Sequence, residues 1–182
     1  DARVRQPAGP LEHLALVVRP VGHLHLGGDL GGLILGHADL QQIAVIEQRC
    51  RMAGGATFWQ DGMTRAVWVS DLGHAYVRVI WRNHVQEMTD LNHAERQHMM
   101  NVVFAAEAAL RTLLRPDKVN LASLGNQTPH LHWHVIPRWY DDAHFPDPIW
   151  APARRRAAIR RAGPPADLGT SLAAALSEGA GS

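Results

Sequence analysis

The chain has 182 residues, of which 46% are hydrophobic and 19% are charged. This size and composition fit one globular domain with a sizeable core, plus flanking segments. The 18 basic and 17 acidic residues leave a formal charge of +1, which excludes the strong net field of a general nucleic-acid or membrane-surface binder. We therefore expect no specific nucleic-acid binding, and any bound anion has to be held by local groups.

Hydropathy and cysteine usage narrow the setting further. The apolar runs are broken well short of the roughly 20 residues that a membrane-spanning helix requires, so we expect no membrane segment. Cys50 is the only cysteine of the chain, which excludes a disulfide within it and a zinc site built mainly from thiolates. A single cysteine suits a reducing compartment, and we expect a cytoplasmic protein.

The composition divides the chain into three parts. Residues 1–49 are poor in charge and rich in glycine, and they predict an N-terminal extension of uncertain order. Residues 50–150 carry regular patterning and form the expected domain. Residues 151–182 are rich in Ala, Arg, Pro and Gly, and we expect a mobile tail. A solvated basic segment is the favoured interpretation of its arginines, and contact with nucleic acid or a polyphosphate is the alternative.

Within the expected domain, the first elements are a strand pair and a helix. The β-prone runs 64–69 and 76–81 are separated by turn residues and predict two antiparallel strands. Asn92 and Glu95 have the spacing of a capping box. Apolar residues then recur at intervals of three and four, which predicts an amphipathic helix of about 20 residues that ends at Pro116.

Two further strands are predicted after the helix. They cover residues 118–124 and 130–137, and the segment 125–129 between them has turn composition. The order strand, strand, helix, strand, strand predicts an α+β fold with an antiparallel sheet.

The last predicted strand carries three histidines in alternation with large apolar residues. Alternate side chains of a strand share one face, so His130, His132 and His134 project together. An imidazole titrates near neutral pH, so one row can combine an unprotonated nucleophile with a protonated donor. Because this alternation is improbable by composition, we favour a functional site over a structural role. A metal site that adds a carboxylate from Asp141 or Asp142 stays open as an alternative.

The segment HLHWHVIP at 130–137 resembles the signature of the histidine-triad (HIT) superfamily of nucleotide hydrolases and transferases. Residues 57–150 are similar to its bacterial, diadenosine tetraphosphate hydrolase-like branch through the segments RVIWRNHVQEMTDL, PDKVNLASLGN and DDAHFPDPIW. The third histidine, His134, points to hydrolysis, because the uridylyltransferase and dinucleoside-polyphosphate phosphorylase branches typically carry Gln there. The resemblance implies an α+β domain with about five strands and one main helix that pairs into a homodimer.

The resemblance also assigns a role to each histidine. His132 would be the nucleophile, forming a nucleotidyl-imidazole intermediate that water resolves. His134 would contact the phosphate and help the leaving group, and His130 would position the array. The central place of His132 supports this choice independently, since a neighbour on each side can orient the ring and neutralise phosphate oxygens.

Nucleotide-binding roles are implied for five other residues. Asn120 matches an amide that contacts phosphate or sugar in the family. Gly125, Asn126 and Gln127 match a turn that approaches the phosphates, and an ordinary turn is the alternative. Asp71 matches an acid that accepts hydrogen bonds from ribose hydroxyls, and a turn-capping role is the alternative.

Other positions set limits on the resemblance. His84 matches a residue that is often His in the superfamily, and we favour a structural role for it. Arg138 either adds charge near a polyphosphate or flanks the strand end. Many relatives carry a Cys-x-x-Cys pair that joins histidines in a zinc site, but Ala53 stands where the partner of Cys50 would be. We therefore predict no metal and no cofactor.

The leading hypothesis is a metal-independent nucleotide hydrolase. It would cleave at the α-phosphorus of dinucleoside polyphosphates or nucleoside phosphoramidates, with a pocket shaped by Trp68, Tyr76, Trp139 and Trp150. Two alternatives stay open: a nucleotide-binding or signalling dimer with negligible catalysis, and a metal-dependent hydrolase that uses the same histidines. A nucleotide panel separates the first alternative from the hypothesis, and exhaustive chelation separates the second.

Overall fold

The computed structural model describes residues 55–157 and 163–179. The predicted extension over 1–49 and the lone Cys50 lie outside these described residues. None of the helices in the described ranges combines the length and the apolar character that crossing a bilayer requires.

Five strands form one sheet in the order β1-β2-β3-β5-β4, and every neighbouring pair is antiparallel. The strands are β1 (Ala56–Gln60), β2 (Thr64–Asp71), β3 (His74–Trp81), β4 (Lys118–Ala122) and β5 (His132–Arg138). The predicted α+β fold with a sheet of five antiparallel strands is confirmed. Sequence patterning did not predict β1, because this short edge strand shows no alternation between buried and exposed residues. The homodimer stays a prediction.

Helix α1 (His93–Leu114) begins at the predicted capping box. The Asn92 side chain accepts a hydrogen bond from the Glu95 backbone N–H at 3.0 Å, and the Glu95 carboxylate accepts one from the Asn92 N–H at 2.8 Å. These bonds satisfy donors that a helix start leaves open. The helix ends before Pro116, with Arg115 in the left-handed region at φ 49°. Its apolar face packs on the sheet and forms the main core.

The C-terminal segment corrects one prediction. Residues 168–179, expected to belong to a mobile tail, form helix α2 (Leu168–Gly179), which packs against α1. Leu168 and Leu172, one helical turn apart, are 1% and 0% exposed. At Gly169, a Cβ atom would lie 2.8 Å from the Phe58 carbonyl oxygen, so the helix approaches β1 closely. The composition resembled a linker, but its leucine spacing supplies a stripe that the core can bury. A domain that ends at residue 150 would leave out this packed helix, while the limit at residue 50 lies outside the described residues and remains our proposal.

Strand register decides which side chains can meet at the site. On β3, Val77 and Val79 point into the core beside α1, so the intervening Arg78 points to the other face of the sheet. In the β3–β5 ladder, Arg78 pairs with His134 and Ile80 pairs with His132. The face away from α1 therefore carries histidines on one strand and an arginine on its neighbour.

Candidate functional site

A cavity of about 510 Å³ opens on the sheet face that carries Arg78 and His134. The sequence-predicted residues in its lining are His130, His132, His134, Asp71, Asn126 and Gln127. Of the aromatic residues expected to shape the pocket, Tyr76 and Trp150 line it. Trp68 lies in the main core, and Trp139 lines a different cavity.

Backbone carbonyls fix the tautomer of each triad histidine. His130 Nε2 donates to the Trp81 carbonyl oxygen and His132 Nδ1 donates to the His130 carbonyl oxygen, both at 2.6 Å. His134 Nδ1 donates to the Ala122 carbonyl oxygen at 3.2 Å. Because a carbonyl oxygen only accepts, each of these ring nitrogens carries a hydrogen, and in the neutral ring the other nitrogen keeps its lone pair. His132 and His134 therefore each present an unprotonated Nε2.

Burial keeps these rings neutral. His130, His132 and His134 are 4%, 8% and 4% exposed. Burial lowers the pKa of all three below the usual value, because the imidazolium ion is poorly solvated there, and the pKa of His134 falls to about 4. The positive charge of Arg78 lowers the pKa of His132 and His134 as well. At neutral pH the cation that acts on His132 and His134 is therefore the Arg78 guanidinium rather than an imidazolium.

Sequence reasoning missed Arg78. Its Nη2 donates to the Tyr76 hydroxyl oxygen at 3.3 Å, and its guanidinium carbon lies 5.9 Å from the centroid of the same ring. The Nε–H is buried and has no hydrogen-bond partner. A signal was available, because alternation along β3 places Arg78 on the face opposite its core valines. Pairing that face with the triad required the sheet order.

The predicted turn and acid have different surroundings. Asn126 and Gln127 line the cavity, and Gly125 precedes them outside its lining. A Cβ atom at Gly125 would lie 3.8 Å from the Thr128 carbonyl oxygen, an ordinary contact, so space alone does not require glycine there. Asp71 lines the cavity, and its carboxylate also accepts the Leu72 N–H at 2.8 Å. It thus caps the β2–β3 turn as well as facing the cavity.

Asn120 is not brought to the cavity. Its Oδ1 accepts a hydrogen bond from Arg138 Nη1 at 2.8 Å. Arg138 is only 1% exposed and donates to both carboxylate oxygens of Asp142, at 2.6 and 3.0 Å. Arg138 therefore neither flanks the surface nor faces the triad, but joins β4, β5 and the following loop.

Asp142 is ionised inside this cluster. Burial raises the pKa of its carboxyl group. The Arg138 hydrogen bonds and the backbone N–H groups of His144 and Phe145 lower it by more, so the net pKa lies well below the usual range. The charge of one partner thus compensates that of the other, as a buried ion pair requires.

His84 contacts the triad from outside the cavity. Its Nδ1 lies 3.2 Å from His130 Nδ1. Since His130 donates through Nε2, its Nδ1 is the acceptor, so His84 is the donor of this bond. The ring of His130 is therefore held from both nitrogens, which agrees with a structural role for His84.

One group in the described part of the chain has metal-ligand chemistry, and it contains no triad histidine. It comprises His74, Asp142 and His144, which are buried and whose ligand-type atoms lie within 4.8 Å of one another. His74 Nε2 and His144 Nδ1 share a hydrogen bond at 2.7 Å. Asp142 is already paired with Arg138, and the two histidines are already paired with each other. A divalent ion would therefore have to compete with the positive charge of Arg138 for the Asp142 carboxylate.

Residues 72–140 match the family model of the HIT domain. Two curated relatives, both called AP-4-A phosphorylase and from two strains of Mycobacterium tuberculosis, are 30% identical over 76 residues, or 38% of this chain and 39% of each relative. The match thus spans about two fifths of the relatives' length.

Solved structures share the fold. The histidine triad protein of Marinobacter aquaeolei has a TM-score of 0.56 at 23% identity, covering 72% of this chain and 94% of its own. The protein of Sinorhizobium meliloti has a TM-score of 0.53 at 22% identity, covering 72% and 93%. The histidine triad protein of Bradyrhizobium japonicum has a TM-score of 0.51 at 24% identity, covering 68% of this chain and 88% of its own. Residues 72–140 thus match the HIT domain, and the chain shares its fold with these histidine triad proteins.

Proposed function

We propose that this protein is a nucleotidyl hydrolase in which His132 attacks the α-phosphorus of a nucleotide. The observation that carries the proposal is the hydrogen bond from His132 Nδ1 to the His130 carbonyl oxygen, which leaves Nε2 as the free nucleophilic nitrogen. Burial supports this role, because a ring with a lowered pKa keeps its lone pair at neutral pH.

The chemistry has two balanced steps. In the first, Nε2 of His132 forms a bond to phosphorus while the bond from phosphorus to the leaving group breaks, and the leaving group takes the electron pair. In the second, water attacks phosphorus and gives up a proton to the solvent, the bond from phosphorus to Nε2 breaks, a nucleoside monophosphate is released, and the ring regains its lone pair. The ring becomes positive in the intermediate, and the His130 carbonyl oxygen, which accepts the Nδ1 hydrogen, stabilises that charge.

The rest of the cavity fits a nucleotide. The amide side chains of Asn126 and Gln127 line it and provide donors for phosphate oxygens. The Asp71 carboxylate lines the cavity as well and can accept hydrogen bonds from ribose hydroxyls. The ring of Trp150 lies 5.2 Å from that of His134, edge-on, and offers an apolar wall.

The substrate class that we propose is the dinucleoside polyphosphates, with diadenosine tetraphosphate as the test compound. Its support is the match to relatives called AP-4-A phosphorylase. That name also favours a second candidate, in which inorganic phosphate instead of water resolves the same intermediate. The third histidine favours water by family resemblance.

Product analysis separates these functions. Hydrolysis at the α-phosphorus of diadenosine tetraphosphate yields AMP and ATP, and the AMP takes label from isotope-labelled water. Phosphorolysis yields ADP and ATP and depends on added phosphate. Binding with no product at high enzyme concentration would favour a nucleotide-binding module, and loss of activity after exhaustive chelation would favour a metal-dependent enzyme. We propose a homodimer as the active species, to be checked by sedimentation.

A further inference from the structure

Arg78 lies in the triad cavity without a direct ion-pair partner among the described residues, although the Asp71 carboxylate lines the same cavity. A guanidinium has five N–H donors in a fixed plane and stays charged at any physiological pH. The hydrogen bond that Arg78 makes there goes to the Tyr76 hydroxyl, and none of the ion pairs in the described ranges includes it. Its buried Nε–H is left unsatisfied. Since buried donors are nearly always paired, this geometry indicates a group that a ligand completes.

The position of Arg78 indicates which ligand group this is. It lines the same cavity as the triad, and its backbone pairs with that of His134 in the β3–β5 ladder. Both side chains therefore leave the same face of adjacent strands. His134 is the histidine that family resemblance places beside the leaving group. An open guanidinium at this point suits an oxyanion, which its planar donors can bind in a bidentate manner.

We propose that Arg78, with Tyr76 beside it, binds the phosphate of the leaving group, so that the substrates are phosphoanhydrides rather than phosphoramidates. This inference rests on the proposed function. It adds to that function the side chain that binds the leaving phosphate, because only a phosphoanhydride places a second phosphate next to the one that is attacked.

Charge balance favours the same class. When the phosphoanhydride bond breaks, its electron pair stays on the bridging oxygen, and the resulting phosphate is an anion that Arg78 can stabilise without any proton transfer. When a phosphoramidate bond breaks, the electron pair goes to nitrogen, and the amine needs a proton to leave. Burial and the nearby His132 keep the pKa of His134 at about 4, so that ring is neutral at pH 7 and a poor source of this proton.

The test compares two substrates that share their nucleotidyl group, diadenosine tetraphosphate and adenosine 5′-phosphoramidate. For Arg78→Gln we expect kcat/KM for diadenosine tetraphosphate to fall about 100-fold, which is the usual effect of losing one transition-state donor. For adenosine 5′-phosphoramidate we expect kcat/KM to fall less than about 5-fold, because that substrate has no leaving phosphate. Arg78→Lys keeps the charge but not the planar fork, and its loss should be intermediate and equally selective. Arg82→Gln is the matched control, since Arg82 is exposed and its Nη1 donates to the Asp61 carbonyl oxygen.

Equal losses on both substrates, or no loss on the phosphoanhydride, would overturn the subsite. If Arg78→Gln fails to fold, as judged by thermal melting, the same comparison of kcat/KM on the two substrates is made with Arg78→Lys.

Phosphate binding by Arg78 can be measured without any turnover. Calorimetry with inorganic triphosphate should show at least about tenfold weaker binding to Arg78→Gln than to the unaltered protein, while AMP binding stays within about twofold. If the unaltered protein cleaves neither substrate but shows this difference, the subsite stands and the proposed hydrolase activity fails. If triphosphate binds both proteins equally, the subsite is rejected whatever the turnover.

Discussion

The triad cavity and the Arg138 cluster use the same residue types in opposite ways. In the cluster, Arg138 donates to Asp142 and Asn120, so its charge and its donors are satisfied within the protein. In the cavity, Arg78 has a buried donor without a partner. Buried arginines and histidines therefore do not themselves mark a site, whereas unsatisfied groups that face a cavity do.

The largest effect that separates the two regions concerns His132. His132→Ala should lower turnover of diadenosine tetraphosphate by about 10⁴-fold or more, because the nucleophile is gone, while nucleotide binding persists. Steady-state kinetics and calorimetry measure the two quantities. His74→Ala removes the hydrogen-bond partner of His144 outside the triad cavity, so it is the matched control and should affect stability rather than chemistry. Undiminished turnover in His132→Ala would refute the assignment of the nucleophile.

The Arg138 cluster should dominate stability. Arg138→Gln leaves Asp142 as an uncompensated buried charge, and we expect the free energy of unfolding to fall by about 3–5 kcal/mol. Arg78→Gln removes a group without a charged partner and should change that free energy by less than about 1 kcal/mol. Urea titration of both variants measures the contrast. Similar losses for the two variants would show that the distinction between satisfied and open arginines is wrong.

Packing of helix α2 against the core should also contribute to stability. Leu172→Ala should cost about 2–4 kcal/mol, because the side chain is fully buried against the core. Leu176→Ala is a matched control on the same helix with a partly buried side chain, and a smaller cost is expected. Both are measured by urea unfolding. A Leu172→Ala variant as stable as the unaltered protein would contradict the packing of α2.

Acid should weaken the fold through its neutral histidines. His74, His130, His132 and His134 have a pKa below the usual value because burial disfavours the charged ring. Below pH about 6.5 the unfolded chain therefore binds more protons than the folded one, so stability falls as the pH decreases towards 4. His134 alone, with its pKa at about 4, accounts for up to about 3 kcal/mol.

Unfolding measured at pH 7 and pH 4.5 tests this slope, and His134→Gln should reduce it. A free energy of unfolding that does not change between these two pH values would show that the histidines are not buried as neutral rings.

Local patterns in the sequence predicted much of this molecule. The capping box at Asn92 and the alternation at 130–137 depend on neighbours a few residues away. The structure has the capping box and brings the three histidines to one cavity, but the strand predicted over 130–137 begins only at His132, so His130 precedes it. The missed features depend on distant contacts. Arg78 becomes a site residue only because β3 pairs with β5, and Asn120 is turned away from the cavity by Arg138, which no local spacing reveals.

A covalent intermediate on His132 can be trapped during turnover. The protein is mixed with diadenosine tetraphosphate, quenched within milliseconds, digested, and examined by mass spectrometry. We predict a peptide that carries one covalently bound adenylyl group on His132, formed and consumed at rates consistent with turnover. Turnover that proceeds with only unmodified peptide at every time point, together with inversion of configuration at phosphorus, would show direct attack by water and would contradict the account.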